Sequence, residues 1–140
     1  PVFYVQYAHA RVASVFEQAR RSGSLWDDTD VAGIAVERLE LAEEIELIRV
    51  MTQFDDILEE SVRALEPHRV IFYLLELAGA FHRYYNRTRI LSEDQDLTHA
   101  RLLLAQAVQS TLRRGLNILG VEAPIRMAAR SDPDDHRLPV

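Results

Sequence analysis

At 140 residues with 48% hydrophobic side chains, the chain fits one domain that can bury a core without disulfide or metal staples. Cysteine is absent, which excludes a disulfide framework, a thiolate nucleophile and a Cys-type zinc site, and suits a reducing compartment. The net charge of −6 argues, as an average, against a nucleic-acid partner, so its distribution matters more than its sum.

The first stretch, PVFYVQYAHAR, is rich in aromatic residues and poor in charge, whereas a natural terminus is usually frayed and polar. It reads as a segment cut from something longer. Val5, Ala8, Val12, Val15 and Ala19 recur at helical spacing, with Tyr4, Tyr7, Arg11, Ser14 and Gln18 on a neighbouring face. A first helix is expected from about residue 3 to Arg21, ending near Gly23, and residues 1–26 carry +2. The stretch SGSLWDDTDVAG has breakers and short acids and reads as a loop. From about Val36 a second helix is expected to bury Leu41, Ile45, Ile48 and Thr52, with Glu40, Glu43, Glu44 and Glu46 as a solvated face. A third, shorter helix shows Phe54, Leu58, Val62 and Leu65, and residues 27–66 carry −10.

Pro67 suits the first turn of a fourth helix, where its missing N–H costs nothing. That helix is apolar nearly all round from Val70 to Ala80, as expected at the centre of a bundle. It changes character at FHRYYNRTR, residues 81–89, where aromatic and Arg side chains crowd together. Ser92 and Gln95 offer a capping box for a fifth helix, with Leu97, Ala100, Leu104, Ala107 and Thr111 on one stripe and Gly120 and Pro124 as its stop. Residues 67–127 carry +3, and the tail from 128 carries −1. No strand pattern and no repeat is present, so the expectation is an all-α bundle of about five helices over residues 1–127, followed by a flexible polar tail over 128–140.

The chemistry in this pattern is that of recognition. The five glycines are scattered, so no phosphate loop forms. The five histidines lack partners at metal-ligand spacing, and no serine sits on a nucleophile-elbow motif. No metal and no catalytic residue is expected. All 16 basic residues are Arg, which grips phosphate with a planar fork and stacks on bases, although GC-rich codon usage also explains an Arg excess. Aromatic faces beside Arg are what unpaired bases require, and both YVQYAHAR and FHRYYNRTR supply them, the latter with His82, Tyr85, Asn86 and Arg89. For Tyr85 two readings stand: core packing, because it continues the stripe Ile71, Leu74, Ala78 and Phe81, or base stacking, which its polar neighbours His82, Arg83, Asn86 and Arg87 favour.

The opening PVFYVQYAHAR resembles the segment joining the catalytic body of arginyl-tRNA synthetases to their carboxyl-terminal domain. The resemblance continues through EPHRVIFYLLELAGAFHRYYNRTRIL, residues 66–91, and ARLLLAQAVQSTLRRGLNILGVEAPIRM, residues 100–127. It implies a DALR-type anticodon-binding domain, an all-α bundle that holds the anticodon loop of arginine tRNA. The family's residues near the anticodon match Tyr7, Arg11, Tyr85 and Met127 here. With the aromatic and polar cluster of the fourth helix, the candidate set is Tyr7, Arg11, His82, Tyr85, Asn86, Arg89 and Met127.

Further expectations follow from that resemblance. The catalytic signatures His-Ile-Gly-His and Lys-Met-Ser-Lys do not occur, so this chain should bind without catalysing. No cofactor is expected in this domain, ATP and magnesium belonging to the catalytic domain of the same polypeptide. That domain and arginine tRNA are the expected partners, in the cytoplasm, with neither membrane nor DNA involved. The alternative is a DALR-like protein-interaction module that has lost tRNA binding; the related domain of the glycyl-tRNA synthetase beta subunit fits less well, because VQYAHAR does not belong to it.

Overall fold

The computed structural model of the chain describes residues 1–127, with residues 28–30 described by backbone alone. The expected tail, 128–140, lies outside the described residues. The element order is α1 (Val2–Ser22), two 3-10 turns (Asp28–Gly33 and Val36–Arg38), α2 (Ala42–Thr52), α3 (Phe54–Arg63), α4 (His68–Arg87) and α5 (Gln95–Ile118). No strand occurs among the described residues. The all-α expectation is met with five helices.

Helix α1 forms where its periodicity places it, and Val5, Ala8, Val12, Val15 and Ala19 are all buried. It stops at Gly23, whose φ of 71° is the left-handed conformation that costs a glycine little. The Ser24 N–H turns back to the Ala19 carbonyl at 2.9 Å. Helix α4 packs against all four other helices, and Leu74, Leu77, Ala78, Phe81 and Tyr84 are fully buried along it. Each such large apolar side chain contributes about 1.5–3 kcal/mol by leaving water. Helix α5 lies tight against α4 at Gly115, where a Cβ would stand 2.5 Å from Leu74 Cδ2. With Leu74 fully buried, Gly115→Ala would overpack this crossing at about 1–3 kcal/mol.

Three expectations are corrected. Helix α2 begins at Ala42 rather than near Val36, and the stripe Leu41, Ile45 and Ile48 is exposed at 40%, 53% and 38%. Leu47 and Val50 face the core instead, and with them Glu44, which is fully buried rather than solvated. The reason is a polar anchor: Glu44 accepts hydrogen bonds from Tyr84 Oη at 2.6 Å, Arg101 Nε at 2.9 Å and the Leu41 N–H at 3.0 Å. Those bonds rotate the helix so that its acid points inward. In α3 only Phe54 of the expected apolar stripe is buried, while Val62 and Leu65 are exposed. Helix α5 is capped by Asp94, whose carboxylate accepts from the Leu97 N–H at 3.3 Å, not by Ser92, which bonds Thr98 and the Asp94 carbonyl.

The directions of the helices set up the site. The Gln109 side chain donates to the His9 carbonyl at 3.3 Å and His99 meets the Ser24 carbonyl at 2.9 Å, so α1 and α5 are antiparallel. Contacts of Tyr4 with His82 and of Arg11 with Tyr85 show that α1 and the second half of α4 run in the same direction. This brings the YVQYAHAR face of α1 beside FHRYY of α4.

Candidate nucleic-acid interface

On α1, Tyr7 and Arg11 are one helical turn apart; on α4, His82 and Tyr85 are likewise one turn apart, so each pair shares a face. The Arg11 guanidinium lies between two rings, 4.9 Å from the Tyr7 centroid and 4.5 Å from that of Tyr85. Its Nη1 is 2.7 Å from His82 Nδ1. A guanidinium only donates, so His82 Nδ1 accepts, and the imidazole proton sits on Nε2. From there it is donated to the Tyr4 carbonyl at 3.2 Å. The tautomer is thereby fixed by two residues of α1 at once. Cation–π contacts of this kind contribute about 0.5–2 kcal/mol.

The sequence candidates are distributed unevenly over this arrangement. Tyr7, Arg11, His82 and Tyr85 are brought together and are 4%, 3%, 2% and 9% exposed. The Tyr85 ring belongs to the core cluster and approaches Phe81 at 6.3 Å between centroids, so core packing describes much of what this ring does. Asn86 and Arg89 are exposed, and the Arg89 side chain donates to the Leu91 carbonyl at 3.1 Å. Two clefts flank the Arg11 stack. One, of about 170 Å³, has Tyr7, Arg11, Ser14 and Met127 in its wall. The other, of about 360 Å³, lies between the end of α1 and the segment after α4, with Tyr85 and Arg89 in its wall. Met127 and Arg89 therefore line different clefts.

Met127 reaches its place because the segment after α5 is tied down along α1. Gln6 Nε2 donates to the Glu122 carbonyl at 3.0 Å, and His9 Nδ1 donates to that of Pro124 at 2.9 Å. The carbonyl can only accept, so the His9 proton is on Nδ1. Burial lowers the His9 pKa below its ordinary 6.5, against the pull of the Pro124 bond and with help from the nearby Arg113 charge. Gln6 and His9 were missed as site residues, though both stand inside YVQYAHAR. Arg101 was missed too; besides Glu44 it holds the Arg89 carbonyl at 3.1 Å, which fixes the path of the chain leaving α4.

The stacked arginine and tyrosines beside these clefts offer planar faces and hydrogen-bond donors, the groups that an unpaired base can stack on and bond to. No helix among the described residues is long and apolar enough to cross a membrane. Comparison with known proteins places this geometry in a lineage. Residues 5–127 match the DALR anticodon binding domain family, and the chain belongs to that family. Over 127 residues it is 47% identical to the arginine–tRNA ligase of Geotalea uraniireducens and equally to that of Geobacter metallireducens, in each case covering 91% of this chain and 22% of the relative. Among solved structures, the arginyl-tRNA synthetase of Thermus thermophilus superposes with a TM-score of 0.72 at 34% identity, covering 89% of this chain and 21% of that one. The chain thus spans about a fifth of the length of these ligases, matching their anticodon-binding domain.

Proposed function

We propose that this domain recognises the anticodon loop of arginine tRNA, as part of an arginine–tRNA ligase whose catalytic domain lies outside this chain. The observation that carries the reading is the Tyr7–Arg11–Tyr85 stack, held by His82 and opening on the cleft that Met127 lines. An unpaired base entering that cleft would meet an aromatic edge, a guanidinium and a soft thioether, with Asn86 and Arg89 available to the neighbouring nucleotide. The domain itself would hold no cofactor. ATP and magnesium would act in the catalytic domain of the same polypeptide, in the cytoplasm, and this chain would bind without activating arginine.

A titration of the 140-residue chain with an arginine anticodon stem-loop, and with the same stem-loop carrying an altered anticodon, tests the reading. Binding should prefer the arginine anticodon and weaken with salt, the logarithm of affinity falling by about 0.7 per neutralised phosphate of a single strand. Equal affinity for the two stem-loops would overturn it.

A further inference from the structure

We infer that the groove between α1 and α5 is a track for the RNA backbone, continuous with the cleft at Met127. This rests on the anticodon reading and extends it to a second, sequence-blind surface. The groove encloses about 670 Å³ and has Arg20, Arg21, Arg113 and Arg126 in its wall, with Gln109 between them. Its single carboxylate, Glu17, is engaged by Arg21 at 2.6 Å. Arg20, Arg113 and Arg126 are exposed and make no ion pair among the described residues, in contrast to Arg38, Arg49, Arg63, Arg69 and Arg87, each of which meets an acid. Three uncompensated guanidinium groups therefore converge on one concave wall. Planar forks of this kind grip phosphate.

The geometry favours an extended polyanion over a single small anion. Arg113 lies near His9, whose imidazole feels its charge, and Arg20 lies eleven residues further along α1. At about 1.5 Å per residue the two ends of the groove are roughly 16 Å apart. Ser14, Ile125 and Arg126 line both the groove and the Met127 cleft, so a strand with one base in the cleft would leave along the groove. The remainder of the surface steers the same way. Although several of their acids are ion-paired, helices α2 and α3 hold seven carboxylates against two arginines of their own, Arg49 and Arg63, a net negative charge that repels a polyanion from their side.

The test uses the 140-residue chain with Arg20→Gln and Arg113→Gln combined, titrated with the arginine stem-loop at several salt concentrations and with the altered-anticodon stem-loop at one. The expected result is roughly a tenfold loss of affinity at low salt and a salt slope smaller by about 1.4, that is about 0.7 for each lost phosphate contact. The ratio of affinities for the two anticodons should not change, since backbone contacts carry no sequence. Arg20→Lys with Arg113→Lys should restore the slope. If the Gln variant keeps the wild-type slope, the groove is overturned as an RNA track, and an acidic protein segment becomes its better occupant. If the variant instead loses anticodon preference, the groove reads bases and the proposal also falls. A wild-type chain that binds neither stem-loop would overturn the anticodon reading together with the groove.

Discussion

The two consecutive tyrosines of α4 serve two arginines in opposite ways. Tyr84 points to the side where Arg101 meets the buried Glu44, a contact between full charges at 2.9 Å with the Tyr84 hydroxyl on the same carboxylate oxygen. Tyr85 points to the side where Arg11 lies between two rings and donates to an imidazole. Glu44 cancels the charge it holds, whereas His82, Tyr7 and Tyr85 meet theirs with a ring nitrogen and two ring faces. The first arrangement locks α2 and α5 onto α4. The second places its guanidinium, with Tyr7, in the wall of the cleft that Met127 lines. Burial of an arginine thus says little about its purpose until its counter-group is identified.

The largest effect that would sharpen this contrast is expected from Glu44→Ala. It strands the Arg101 charge and the Tyr84 hydroxyl, whose pKa is already driven far above that of an ordinary tyrosine by burial and then by the Glu44 bond. Removing one partner of such a pair costs about 3–5 kcal/mol, to be read by thermal or denaturant unfolding. Stem-loop affinity per folded molecule should stay within about twofold, and a larger loss would break the division between lock and site.

Next in size is the Arg11 stack. Tyr85→Ala should destabilise by about 3 kcal/mol or somewhat more, the range for a buried large aromatic, and Tyr85→Phe by far less, because the ring is retained. Arg11→Gln should weaken stem-loop binding by at least roughly tenfold. A double-mutant cycle between Arg11 and Tyr85 should return a coupling of about 0.5–2 kcal/mol in unfolding experiments. A coupling of zero would show that the two side chains are merely adjacent.

The smallest effect is a pH dependence confined to the site's side of the molecule. His9 has a lowered pKa in the folded state, so the unfolded chain binds its proton first as pH falls. Its contribution to stability is complete above about pH 6.5 and declines as pH drops below that value towards the folded pKa. The midpoint of unfolding should therefore fall between pH 7.5 and 5.5, and His9→Gln should show a shallower decline over the same interval. Equal slopes for the two proteins would remove His9 from the account.

The sequence reveals what repeats along one helix and conceals what depends on another. The α1 stripe from Val5 to Ala19 and the apolar run of α4 were legible because burial there follows simple periodicity. The orientation of α2 was not, since Leu41, Ile45 and Ile48 form as good a stripe as the face that is buried, and the choice was made by Tyr84 and Arg101, distant in sequence. The candidate residues Tyr7, Arg11, His82 and Tyr85 do converge. Their convergence depends on α1 and α4 lying side by side, which no local pattern encodes. Gln6 and His9 escaped notice because they bind backbone carbonyls, and every residue has a carbonyl, so the partner leaves no mark in the sequence.

The ties from Gln6 and His9 to Glu122 and Pro124 join positions 116 and 115 residues apart, nearly the whole described chain. During synthesis at about 5–20 residues per second, YVQYAHAR leaves the ribosome many seconds before the segment that completes its cleft. Until Pro124 and Met127 follow, α1 lacks one wall of the pocket, and nothing can be held there. Completion of the cleft is thus delayed to the end of the domain's translation, whatever the cleft holds.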